Sequence, residues 1–526
     1  MYEKSYRVKF GLCVSIAIAA IIFCFLFLSL DPVGLITVAP TFIGYIAANF
    51  LPPSLTNFQA NIAAVLQAIA FAVVSTFISS FFAFIFALLM SDVVMPFAVV
   101  RNGVRFVVTF VRNIPVIIWV SLMVFVFGIG SMVGLVALVV ATTGFLSRSY
   151  AESINEIAAK KLEPLKASGV RTHSIIIHGV LPEFFPAWVN WTLFAFELNI
   201  RASAVLGMVG AGGMGIIIQR HLTLRNFQGA ATLILLLIIA VLCAEFFSAF
   251  VRKKVISDGG QQFSINPKNI SIIPTNARIF RVFMILAAAA IFVICLSYLN
   301  LDTARFISRL ENAPRIMRLL LQINLNIIAP GLRQFLISLV MGFTGLVLGG
   351  ILAAVLAFLA AENIAPFMPL AICIRAFVSI VRAVPSLVIM LMIVAAIGFG
   401  YTTGVAVLII STMGYLTKAF IASIEEQGTG AIIAMRSAGA SRGQIIIHGL
   451  LPAVATGFLS WIALRLEMSV AESIALGVVG AGGIGTLLFR AIRQHDYPSI
   501  TALILIIFIC MFCLEMLANG IRRKFT

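Results

Sequence analysis

Glu197 and Arg201 stand four residues apart in an otherwise apolar stretch, and Arg465, Glu467 and Glu472 punctuate a second such stretch, in which Glu467 lies 270 residues after Glu197. A spacing of four puts Glu197 and Arg201 on one helix face. Ionisable groups at membrane depth cost at least about 2.5–3.5 kcal/mol each unless they are paired or hydrated. Two chemistries are open to them: an ion pair that locks helices together, or a path along which Arg201 or Arg465 meets an oxyanion. The planar guanidinium fork suits a phosphate or phosphonate because it bonds two oxygens at once. Cys510-Met-Phe-Cys513 has redox spacing, but it sits in an apolar helix pattern without a βαβ context and reads as packing. His178 and His448 have no second ligand at metal spacing, so no metal site is expected. No nucleophile, base and oxyanion set stands out, and the chain is not expected to be an enzyme.

A glycine-rich stretch, Gly210-Ala-Gly-Gly-Met-Gly215, recurs as Gly480-Ala-Gly-Gly-Ile-Gly485. A dinucleotide fingerprint would follow a strand, whereas both stretches follow an apolar span. Two readings stay open. The small residues let helix backbones pack closely, or Gly212, Gly213, Gly482 and Gly483 let a loop hinge as an outer gate.

The elements that position these residues come twice. Arg112-Asn-Ile-Pro115 returns as Arg382-Ala-Val-Pro385, and Ile175-Ile-Ile-His-Gly-Val-Leu-Pro182 as Ile445-Ile-Ile-His-Gly-Leu-Leu-Pro452, all at one offset without insertion. A repeat this long is a duplicated domain. With 62% hydrophobic and 10% charged residues and a mean hydropathy of +1.13, the chain is not a water-soluble globule. The expected fold is all-α and polytopic, with about 12 transmembrane helices in two six-helix halves. The first half has crossings near 10–30, 62–90, 104–128, 131–147, 184–206 and 228–250. The second has them near 281–300, 331–360, 370–396, 402–417, 454–476 and 498–520. The uncharged stretch from Arg112 to Arg148 is too long for one span and is divided at Gly128-Ile-Gly130 into a hairpin. The domains read as 1–256, a cytoplasmic linker at 257–278, and 279–526.

Most of the 36 Lys and Arg residues fall on one side when both termini are cytoplasmic, as the positive-inside rule requires. The net charge of +17 therefore follows membrane topology, and no basic domain points to nucleic acid. Arginines on the opposite rim, among them Arg305, Arg309, Arg315 and Arg318, either steer anions inward or snorkel to lipid head groups.

The longest polar stretch of the first half, from Arg148 to Pro182, reads as two short helices. Pro164 starts the second, and Gly169 caps it in a left-handed turn. The copy ending at Gly439 has the same layout. Here the chain resembles a known family. Glu163-x5-Gly169-x11-Leu181-Pro182 is similar to the cytoplasmic loop of ABC importer permeases, and Gly439-x11-Leu451-Pro452 repeats its second part. The Arg-x-x-Pro, the Glu in the fifth span and the Gly-Ala-Gly-Gly-x-Gly stretch together resemble the phosphonate-transport permeases, so the chain looks like two such permeases fused in tandem. One departure is Ile433, which stands where the loop's Glu would be in the second half.

The resemblance implies that Glu163, Leu165 and Gly169 in one half, and Met435 and Gly439 in the other, dock into two cytoplasmic ABC ATPase subunits. Those subunits would hold ATP and Mg, and this chain would bind no cofactor of its own. It also implies an extracytoplasmic binding protein, a bacterial inner-membrane location and import of a phosphorus oxyanion by alternating access. A secondary transporter of a small anion, also built from two six-helix halves, is the alternative. It would couple to an ion through a carboxylate such as Glu197 or Glu467, but it gives no reason for duplicated cytoplasmic helices.

Overall fold

The computed structural model describes residues 19–167, 169, 174–208, 210, 213–259, 275–311, 313–426 and 430–525. The first repeat comprises α1 (Pro32–Asn49), α2 (Phe58–Met90), α3 (Ala98–Asn113), α4 (Val116–Phe127), α5 (Ser131–Ala167), α6 (Leu181–Met208), α7 (Met214–Thr223) and α8 (Phe227–Gly259). The second comprises α9 (Thr275–Tyr298), α10 (Thr303–Leu310), α11 (Ala313–Leu320), α12 (Ile328–Ala360), α13 (Met368–Ala383), α14 (Ser386–Ile397), α15 (Tyr401–Glu426), α16 (Gly430–Ser437), α17 (Leu451–Val478), α18 (Ile484–Arg493) and α19 (Tyr497–Phe525). Among the described residues, eight helices are long and apolar enough to cross a membrane, or up to eleven if each bent pair is one span. The first expected span, 10–30, begins outside the described residues, and so does most of the linker.

The hairpin at Gly128-Ile-Gly130 forms where the sequence places it, between α4 and α5. The expected spans 104–128 and 370–396 are bent. Each is broken into two helices, with bends of 91° between α3 and α4 and 90° between α13 and α14. Proline is the cause. A residue before proline is pushed out of the helical region, and Ile114 and Val384 are both extended, at ψ 121° and 123°. The Arg-x-x-Pro motif is therefore a corner.

The expected break before Pro164 is also absent. α5 runs on to Ala167 as one helix of 37 residues. Ala158-Ala-Lys-Lys-Leu-Glu163 are good helix formers, and the helix they carry continues through Pro164. The second repeat has Gln427-Gly-Thr-Gly430 at the same place, and there α15 ends at Glu426 and α16 starts at Gly430.

The compact units cut across the repeats. One comprises residues 54–224 and 229–314, the other 1–53, 225–228 and 315–526. Each unit thus takes its opening apolar helices from the other repeat. In the first, α9 lies against α2, where the rings of Phe77 and Phe292 stack 4.4 Å apart. Leu299 is buried there with Ala70, Phe71, Val74 and Leu135. Its main core joins Ala83, Ala87, Leu146, Tyr150, Ile154 and Phe184. In the second, α1 packs on α14 and α15. The core of that unit stacks Phe420 on Phe458 at 3.8 Å and fits Ala353, Ala357 and Ala360 against α15 and α17. Small residues on α12 bring backbones together: a Cβ on Gly349 would stand 2.8 Å from the Ile409 carbonyl oxygen.

Candidate functional site

In the unit built on the second repeat, α17 carries Arg465 and Glu472 seven residues apart, two helical turns along one face. Arg465 is 4% exposed. Its Nη2 donates to Glu472 Oε2 at 2.7 Å and to Ser411 Oγ at 2.7 Å, and its Nε to Thr412 Oγ1 at 3.3 Å. The guanidinium lies 5.4 Å from the Tyr415 ring centre. Ser411 in turn donates to the Glu472 carboxylate. The charge is thus neutralised and bonded on several sides, as burial at this depth demands. Glu467 is half-buried on the same helix.

The first repeat has a neutral cluster in the same register. Asn199, in register with Ser469, donates to Thr76 Oγ1 at 2.9 Å and accepts from Thr142 Oγ1 at 2.9 Å. Ala195 and Ala202 occupy the places of Arg465 and Glu472. The carboxylate of Glu197 is buried and pairs with Arg252 of α8. Arg252 is a partner that spacing along α6 does not reveal, since it arrives from 55 residues away. Arg201 Nε lies 3.5 Å from the Glu197 carbonyl oxygen.

At the loops, Gly169 and Gly439 both adopt left-handed backbone, with φ of 79° and 80°. Around Gly439 the cap is complete. The Ala440 N–H donates to the Met435 carbonyl at 3.0 Å and the Gly439 N–H to the Arg436 carbonyl at 3.0 Å, which closes the last turn of α16. α16 buries Ile432 and packs Met435 against the same cluster, while Ile433 is 57% exposed. The departure from the loop pattern therefore sits on the open face of the helix. The side chains of Glu163 and Leu165 lie outside what the structure describes.

A feature that sequence reading missed follows each loop. Ile175–Val180 and Ile445–Leu450 form π-helical turns, in which Leu181 N–H bonds the Ile176 carbonyl and Leu451 N–H the Ile446 carbonyl. Pro182 and Pro452 have no N–H for the α-helical ladder, and the widened turn absorbs that loss. His178 and His448 are exposed on these turns.

The glycine stretches are contact points. Gly213 and Gly483 have φ of 80° and 75°, and a Cβ on Gly483 would stand 2.1 Å from Ser338 Oγ. Gly482 faces Tyr401, where a Cβ would come within 2.3 Å of the ring. Gly212 lies outside the described residues.

Residues 82–257 and 345–526 each match the family model described as "binding-protein-dependent transport system inner membrane component". The phosphate-import permease protein PhnE of Mycolicibacterium smegmatis is 26% identical over 505 residues, spanning 91% of this chain and 92% of that protein. The phosphite transport system permease protein PtxC of Stutzerimonas stutzeri is 31% identical over 194 residues, 37% of this chain and 70% of its own length. The putative cryptic phosphonate transport system permease protein PhnE2 of Escherichia coli is 35% identical over 122 residues, 23% of this chain and 100% of that protein.

Proposed function

We propose, for a chain that belongs to the family of binding-protein-dependent transport system inner membrane components, that its cargo is a phosphorus oxyanion. The chain is a permease of an ABC importer with both permease units on one polypeptide. The observation that carries the cargo assignment is the end-to-end match to a phosphate-import permease. Two ATPase subunits, holding ATP and Mg, would engage the loops ending at Gly169 and Gly439, including Glu163, Leu165 and Met435. A binding protein would deliver the anion on the other side, near the stretches holding Gly212, Gly213, Gly482 and Gly483. Arg201 or Arg465 would be the basic group on the proposed path that favours an anion.

The test is uptake of labelled phosphate, phosphite and methylphosphonate into liposomes containing the chain with its ATPase and binding protein. ATP-dependent accumulation of at least one is expected. Accumulation driven by an ion gradient without ATP would establish the secondary-transporter alternative instead.

Both termini and the linker are proposed to face the cytoplasm of a bacterial inner membrane. The support is the surplus of Lys and Arg on that side. A cysteine placed at Gly260 should react with an impermeant maleimide in inverted vesicles and not in intact cells. Labelling from outside would reverse the orientation.

A further inference from the structure

The turn between α12 and α13, residues 361–367, touches the chain on both sides of α16. On the entering side, the Glu362 N–H donates to Glu425 Oε1 at 2.9 Å, and Asn363 Nδ2 to the Ile424 carbonyl at 2.9 Å. Arg375 of α13 gathers this corner. It pairs with Glu425 and, at 3.1 Å, with Glu362, and its Nε donates to the Ala360 carbonyl at 2.9 Å. On the leaving side, Arg442 Nη2 donates to the Pro366 carbonyl at 3.0 Å. Beneath, Ile364 of the turn and Ile432 of α16 are buried in one apolar cluster.

The first repeat builds this place differently. Asp92 pairs with Arg101 at 3.2 Å and Arg105 at 2.7 Å, both on the helix after the turn. There a neutral hydrogen bond joins the turn to α5, from Ser91 Oγ to Asn155 Oδ1 at 2.7 Å. Asn155 is the register counterpart of Glu425. The second repeat therefore adds an ionic link in the half where Ile433 replaces the loop's Glu.

We propose that the 361–367 turn is a strut fixing α16 to the membrane bundle, with Arg375 as its positioning residue, so that displacement of α16 by an ATPase moves α12 and α13 with it. This rests on the coupling role proposed above. The side chains of Arg375, Glu425 and Glu362 are 32%, 33% and 61% exposed. Ion pairs so open to water add little stability. Their worth lies in connection, and that separates a strut from a merely structural contact: its loss should change coupling and leave folding alone.

The experiment compares wild type, Arg375→Ala, Arg375→Lys and Glu425→Gln, each reconstituted with ATPase and binding protein. ATP hydrolysed per phosphate, phosphite or methylphosphonate imported is read beside the thermal unfolding midpoint. Arg375→Ala should raise that ratio about threefold to fivefold, the most that ion pairs this open to water can carry. Glu425→Gln should raise it by a smaller factor, and Arg375→Lys should keep much of the wild-type ratio. The midpoint should stay in place. An unchanged ratio in Glu425→Gln and Arg375→Ala would overturn the strut, as would uptake and hydrolysis falling by one common factor. If wild type imports none of the three anions, the cargo reading fails by itself. The strut is then read from hydrogen exchange over 430–437: faster exchange in Arg375→Ala supports it, and wild-type protection overturns it.

Discussion

Replacing Gly485 by Ala should remove folded protein from the membrane, although only one methyl group is added. A Cβ there would stand 1.9 Å from the Ile474 carbonyl oxygen and 3.1 Å from the Gly477 Cα. Both obstacles are backbone, so no rotamer change relieves the clash and α17 and α18 must move apart. Gly477 meets the same contact from the other side, where a Cβ would lie 2.5 Å from the Gly482 carbonyl oxygen. The first repeat repeats the arrangement: a Cβ on Gly215 would stand 2.0 Å from the Ala204 carbonyl oxygen. Overpacking a well-filled site by a methylene typically costs about 1–3 kcal/mol through side-chain adjustment alone. A backbone clash at this distance belongs at or above the top of that range. The measurement is the monodisperse peak of detergent-extracted protein relative to Gly443→Ala, a position with no atom near the added methyl. Gly485→Ala should lose most of that peak. Equal peaks would show that the two helices are not held in this contact.

The parts legible in the sequence were those written in hydrophobic period and in repetition. Apolar runs and a constant offset give helices, halves and the hairpin at Gly128-Ile-Gly130. The Arg-x-x-Pro corners were legible in principle, since a proline restricts the residue before it. Hydropathy across 104–128 concealed them, because a bent pair and a straight span have the same composition. The π-helical turns were hidden likewise: Leu-Pro signals a lost N–H, but a widened turn and a kink both answer it. The exchange of opening helices between units was not readable at all. Nothing local to Leu299 says that Phe71 and Leu135 will cover it. The same limit applies to the charges. Spacing along a helix places Arg201 near Glu197, but it cannot show that Arg252 of α8 also reaches that carboxylate. In the second repeat, spacing along α17 did contain the answer, because Arg465 and Glu472 share a face at two turns instead of one.

That pair gives the second large effect. Arg465→Ala leaves the Glu472 carboxylate, only 16% exposed, without its cation, and Glu472→Ala leaves a guanidinium that is 4% exposed. Breaking a buried pair from one side costs on the order of 3–5 kcal/mol, because the remaining charge stays buried. Each single variant should therefore unfold at a markedly lower temperature than wild type in the same detergent. The double variant should not add the two losses. The first repeat holds Ala195 and Ala202 in the same two places and packs there around a neutral Asn199 cluster. Arg465→Ala with Glu472→Ala should consequently recover most of the stability that either change alone removes. A double variant no more stable than the worse single one would mean that the two side chains do not act as a unit. Anion uptake then divides the two readings of the guanidinium. Recovery of both folding and uptake in the double variant makes the pair a lock between helices. Recovery of folding without uptake places Arg465 on the path of the anion, with Glu472 as the carboxylate that holds it until an oxyanion competes for the same fork.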